Sequence, residues 1–240
     1  MRGNYSSQSF QKYKNIHYDL IRRYYRESIV LRNGYYDARK KGKNKHDLWQ
    51  LKIFDICISI LDEIFKCNKN IKRIADIGCG MGDFTIELAK RYTQKEIVGL
   101  DFLEETVALA RKNAEGIDNI SFIQGDLLNT PFKEDYFDIT LCINVLHHVY
   151  IEDLNEAIEE LTRITNKFLI VEIRNSNNIF DFWYNCAILP YFYKELPAVS
   201  HSTFDISNLV KNKDFKLQKK IGIFPVSKIC RRLLLSYERK

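Results

Sequence analysis

Residues 73–85 read Arg-Ile-Ala-Asp-Ile-Gly-Cys-Gly-Met-Gly-Asp-Phe-Thr. A short apolar run ends in glycines at every second position, and a helix-forming stretch at 83–92 follows at once. Glycine suits such a turn for two reasons. The chain must turn tightly, and a ligand can lie against main chain that carries no Cβ. The first N–H groups of the following helix have no intrahelical partner and face that ligand.

The rest of the chain repeats the same rhythm. Strand candidates fall at 73–77, 96–100, 120–124, 137–143 and 167–173, with helix candidates at 83–92, 103–115 and 152–165. Alternation of this kind marks βαβ units and a parallel sheet. The near-continuous apolar run from Ile139 to Val145 fits a strand covered on both faces. Residues 203–210 read as a short helix and 215–224 as a strand, while 227–240 fits either a strand or a basic amphipathic helix.

Ahead of this region, Tyr13, Ile16, Leu20 and Tyr24 recur at helical spacing, and Asn33-Gly34 marks a break. Residues 48–66 read as a second helix, with Leu51, Phe54, Ile58, Leu61 and Phe65 among the residues of its apolar face. The expected organisation is an N-terminal helical cap at 1–66 and an α/β domain at 67–240. An aromatic insert at 175–202, containing Trp183, Tyr184, Tyr191, Phe192 and Tyr193, interrupts that domain. With 240 residues, 45% of them hydrophobic, the chain can bury the core of one large domain with a cap.

Charge is uneven. Residues 1–50 hold twelve Lys/Arg against four Asp/Glu, residues 211–240 hold ten against two, and the centre carries a net of −10. Basic ends of this kind suit an anionic substrate, an anionic lipid surface or RNA, or serve only as a solvated surface. The six cysteines form no CxxC pair and have no zinc-ligand spacing, so no metal is expected, and they read as small packed residues of a reducing, cytoplasmic compartment. There is no signal-peptide pattern and no apolar stretch of about 18 residues, so no membrane span is expected, although peripheral contact stays open.

Dinucleotide turns use GxGxxG. This turn is Gly78-x-Gly80-x-Gly82, with Asp76 just before it. A carboxylate there repels a pyrophosphate and suits the ammonium group of an amino-acid-bearing ligand. The segment Asp76-Ile77-Gly78-Cys79-Gly80-Met81-Gly82 resembles the glycine motif of class I S-adenosylmethionine-dependent methyltransferases. Further matches follow at Gly99-Leu100-Asp101, at Gln124-Gly125-Asp126-Leu127 and at Phe137 through Val149, similar to the small-molecule and quinone-biosynthesis branch.

The resemblance covers residues 70–175 and implies a doubly wound, mostly parallel, seven-stranded Rossmann-like sheet. It also implies S-adenosyl-L-methionine as cofactor. Asp76, Gly78, Cys79, Gly80 and Asn144 would surround the methionine part. Asp101 would take the ribose hydroxyls with Phe102 beside it, and Asp126 and Leu127 would contact the adenine. His147 and His148, just past the fourth strand, stand as base or substrate contact, or as structural histidines. No Asn/Asp-Pro-Pro-aromatic run follows that strand, which disfavours methylation of nucleobase amino groups. The implied activity is O-, C- or N-methylation of a small or lipid-like acceptor. The alternatives are an RNA or protein methyltransferase using the basic termini, and a non-catalytic cofactor-binding protein.

Overall fold

The computed structural model describes residues 45–175, 202–223 and 232–240, together with 15, 17–23 and 26 near the N-terminus. Seven strands build one sheet: β1 (Arg73–Ile77), β2 (Glu96–Asp101), β3 (Ile120–Gln124), β4 (Phe137–Cys142), β5 (Thr165–Arg174), β6 (Phe215–Gly222) and β7 (Arg232–Arg239). Their order across the sheet is β3-β2-β1-β4-β5-β7-β6. β1 to β5 are parallel, and β7 runs antiparallel to both of its neighbours. The connections reverse direction between β1 and β4. In an open α/β sheet that point, at the carboxyl ends of the strands, is where a crevice opens for ligands.

Five labelled helices accompany the sheet: α1 (Lys45–Cys67), α2 (Asp83–Arg91), α3 (Glu104–Asn113), α4 (Leu154–Ile164) and α5 (Thr203–Lys211). α4 shows why such segments become helices on this scaffold. Leu154, Ala157, Ile158, Leu161 and Ile164 are buried at three- and four-residue spacing, while Glu156 and Glu159 face solvent. α1 has a role the sequence did not reveal. Its Ile53, Cys57, Ile60 and Leu61 lie in the same hydrophobic cluster as the sheet, and Phe54 stacks on Phe84 of α2 at 4.3 Å. The core is therefore continuous across residues 66–67, where a cap boundary was expected. Leu51, expected on the apolar face, is 50% exposed.

The undecided tail is β7. Leu233, Leu234 and Leu235 are all fully buried between β5 and β6, so the strand has little of the in–out alternation that identifies a half-buried strand. Asp138 has a structural role, since its Oδ2 accepts the N–H groups of Lys72 and Arg73 at 2.7 and 3.2 Å and fixes the start of β1 beside β4. The expected aromatic insert lies outside the described residues, except for Asn175 and Ser202 at its ends. Among the described residues no helix is long and apolar enough to cross a membrane.

Candidate active site

The glycine turn is where β1, β2 and β4 meet. Gly78, Gly80 and Gly82 all have left-handed backbone, with φ of 80°, 55° and 82°. Gly78 and Cys79 both donate their N–H to the Leu100 carbonyl, at 2.7 and 3.0 Å, which pins the turn over the end of β2. The three glycines then differ. A Cβ on Gly78 would stand 2.1 Å from Val145, and one on Gly82 would stand 2.7 Å from Phe122. At Gly80 a Cβ would meet nothing within 4 Å. The outer two glycines allow close packing, and the middle one presents bare main chain to open space.

Two carboxylates flank that space. Asp76 is 3% exposed at the end of β1 and accepts a hydrogen bond from Thr85 Oγ1 at 2.6 Å. Burial pushes its carboxyl up to about 6, with the Thr85 bond opposing the rise and Asp101 adding to it. Asp101 is 7% exposed at the end of β2. Its Oδ2 accepts the Gly80 N–H at 2.9 Å, and its Oδ1 accepts the Leu103 N–H and the Thr106 hydroxyl. Burial raises this carboxyl too, against the pull of those donors. These donors occupy most of the roughly four acceptor positions of the Asp101 carboxylate.

The remaining sequence-selected residues fall around the same edge. Cys79 is half-buried, and burial with the two neighbouring carboxylates holds its thiol well above the ordinary range, so it is a packing residue and not a nucleophile. Phe102 is half-buried just past β2. Asp126 is exposed just past β3 and accepts the Leu128 N–H, while Leu127 belongs to the main core. Asn144, just past β4, is left-handed at φ 63°, a conformation that asparagine tolerates.

The sequence left His147 and His148 open as base, substrate contact or structural histidines. His147 is 2% exposed, with its ring 4.0 Å from that of His148. Burial, followed by the charges of Arg174, Arg232 and His17, pushes His148 down to about 3. An imidazole of that kind is neutral at pH 7 and only a weak proton acceptor. The backbone here is also an anchor, because His17 Nε2 donates to the His148 carbonyl at 2.9 Å. Tyr18 donates to Asp153 at 2.6 Å, and Arg26 reaches Glu105 on α3 at 2.8 Å. The N-terminal helical residues therefore contact both the β4 exit and the first turn of α3.

Two residues not singled out in the sequence complete the β4 exit. Glu172 on β5 is 0% exposed, and its Oε2 accepts the Asn144 N–H at 3.1 Å. Arg232 at the start of β7 lies 3.5 Å from the other Glu172 oxygen and donates to Asn144 Oδ1 at 2.7 Å. One signal for Glu172 was available: an acid within the otherwise apolar run Phe168–Ile173, where a buried charge needs a partner.

The strand order, the single antiparallel β7 and the glycine turn between two buried acids agree with the sequence comparison, in which residues 74–167 match the methyltransferase domain family. This stretch is similar to that methyltransferase domain family. The chain is 34% identical over 105 residues to the uncharacterized methyltransferase YcgJ of Bacillus subtilis, covering 42% of this chain and 40% of that protein. It is 42% identical over 72 residues to a demethylmenaquinone methyltransferase of Deinococcus radiodurans, covering 30% of each. The chain thus aligns with two fifths or less of the length of these two curated relatives. Its fold is similar to that of magnesium protoporphyrin IX methyltransferase from Synechocystis PCC 6803 with bound SAH. The TM-score is 0.65 at 20% identity, over 81% of this chain and 84% of that one.

Two predictions come from this geometry. Gly78→Ala, which meets Val145, should lower the unfolding free energy more than Gly80→Ala, which carries only the ~1–2 kcal/mol of left-handed strain. Denaturant unfolding of both variants checks this, and equal losses would contradict the open space at Gly80. His148, depressed from 6.5 to about 3, takes up protons mainly on unfolding. Its contribution is therefore complete above pH 6.5 and is lost as pH falls toward 3. Asp76, raised from 3.8 to about 6, acts oppositely: its contribution is complete below pH 3.8 and is lost as pH rises through 6. Because Asp76 is common to both proteins, comparing wild type with His148→Gln isolates the histidine. The variant should lose less stability between pH 6.5 and 4, and parallel pH curves would contradict the assignment.

Proposed function

We propose that this protein transfers a methyl group from S-adenosylmethionine to a small-molecule or lipid-like acceptor. The observation that carries the reading is the open space against the Gly80 main chain, set between the buried carboxylates Asp76 and Asp101. Two acids in that position oppose a pyrophosphate and suit a ligand with an ammonium at one end and ribose hydroxyls at the other. In this reading Asp76 faces the ammonium and Asp101 takes one ribose hydroxyl. Phe102, Asp126 and Leu127 border the adenine. Asn144, its side-chain oxygen held by Arg232, directs its amide N–H groups toward the methionine part.

The cofactor supplies a methyl group already activated by its sulfonium. The chain's own task is to hold an acceptor atom in line with that group and to exclude water, and such positioning supplies much of a rate enhancement. The His148 imidazole, pushed well below its ordinary range by burial, is a weak base, which favours an acceptor whose nucleophile needs no strong base. The relatives' names support a small acceptor: demethylmenaquinone, norajmaline and magnesium protoporphyrin IX are all small molecules. The basic C-terminal segment does not favour RNA. Lys219 pairs with Glu63 and Lys213 with Glu159, and the exposed lysines of β6 lie on an edge strand, where lysine discourages strand addition. A cytoplasmic location fits the free thiols of Cys57, Cys67, Cys79 and Cys142.

Isothermal titration tests the reading. The wild type should bind S-adenosylmethionine and S-adenosylhomocysteine and not NAD. Asp101→Asn, provided it melts cooperatively, should bind both sulfur ligands more weakly by about 1.5–3 kcal/mol, the loss expected for a hydrogen bond to a charged group. Unchanged affinity would contradict the ribose contact, and NAD binding would contradict the cofactor class.

A further inference from the structure

Arg174 and Arg232 are direct partners in the β5–β7 register, the last pair at the carboxyl end of β5. Residues directly opposite in an antiparallel pair project to the same face with Cβ atoms about 5 Å apart, and like charges there oppose the pairing. The register thus sets both arginines on one face of the sheet, and Arg232 has the Glu172 carboxylate beside it. They lie at the β4 exit, beside the proposed site. Arg232 holds Asn144, whose neighbour Val145 packs on Gly78 of the glycine turn.

Arg232 is also fixed in advance. Its side chain is 19% exposed, with Glu172 at 3.5 Å and Asn144 Oδ1 at 2.7 Å. A cation already ordered in this way loses little further freedom when a ligand arrives. The field it shares with Arg174 is positive at the β4 exit, since both guanidiniums add to burial in pushing His148 down. An anion placed there is favoured. Planar guanidinium forks match the oxygens of a carboxylate or a phosphate, and two adjacent forks match them better than one.

We propose that Arg174 and Arg232 form a two-guanidinium seat for a carboxylate or phosphate group carried by the acceptor. This narrows the acceptor to an anionic small molecule, and it rests on the methyltransferase reading above. Glu172 and Asn144 act as positioning residues that hold Arg232 in place. The same chemistry has a second source, the carboxylate of the cofactor's own methionine part, and the test separates the two.

The protein is saturated with S-adenosylhomocysteine and titrated at constant ionic strength with benzoate and with inorganic phosphate. The expected result is saturable binding of at least one of these anions, about tenfold weaker in Arg174→Gln. The affinity for S-adenosylhomocysteine should stay within twofold. Arg174→Lys, which keeps the charge and loses the fork, should recover part of the phosphate binding. The proposal is overturned by the absence of saturable anion binding, or by anion binding equal in wild type and Arg174→Gln. A tenfold loss of S-adenosylhomocysteine affinity with unchanged anion binding would overturn it in favour of the cofactor's carboxylate. If the wild type does not bind S-adenosylhomocysteine, the methyltransferase reading fails, and the same anion titration on the ligand-free protein still decides the seat.

Discussion

The carbonyl of Leu100 accepts two N–H groups of the glycine turn, from Gly78 and Cys79. This shared acceptor binds the end of β1 to the end of β2, and the arrangement of the site depends on it. With the turn fixed there, Gly80 donates to Asp101, α2 starts at Asp83, and Thr85 on its first turn reaches back to Asp76. These contacts need left-handed backbone at 78, 80 and 82, which glycine adopts without strain. A methyl group on Gly78 or Gly82 would collide with Val145 or Phe122, at 2.1 and 2.7 Å, and one on Gly80 would meet nothing within 4 Å. The turn is thus tight on both flanks and open only in the middle, which is the shape a ligand needs if it is to lie against main chain.

Charge then divides the carboxyl edge of the sheet into two territories. On the β1–β2 side, Asp76 and Asp101 are buried, and burial raises both carboxyls. On the β5–β7 side, Arg174 and Arg232 are register partners, and Arg232 lies 3.5 Å from the Glu172 carboxylate. Asn144 lies on the boundary: its N–H goes to Glu172 and its side-chain oxygen takes Arg232. In the proposed function the cofactor lies against the first territory and an anionic acceptor against the second, adjoining places of the kind a group transfer requires.

Much of this was legible in the sequence because its cause is local. The glycine spacing, the acids at the ends of β1 and β2, and the five parallel strands all follow from residues close together in the chain. The features that escaped the sequence depend on distance. β7 buries Leu233 to Leu235 completely, so the tail could not be distinguished from a helix by alternation. Arg232 meets Asn144 and Glu172 only because β7 returns antiparallel beside β5. His148 is depressed by burial and then by Arg174, Arg232 and His17, which come from separate segments. The His-His pair past β4 could be a base or a structural pair in the sequence, and the surroundings that depress His148 come from other parts of the chain. The packing of α1 is likewise long-range, since it lies against residues that follow it by tens of positions.

The central claim is that the open space at Gly80 is the cofactor site. Amide hydrogen exchange of the intact protein, with and without S-adenosylhomocysteine, tests it most directly. The account predicts slowed exchange in peptides spanning 78–85, 101–106 and 126–128, with little change along β6 and the amino-terminal ends of the strands. Protection confined to other segments, with the glycine turn unchanged at saturating ligand, would contradict it.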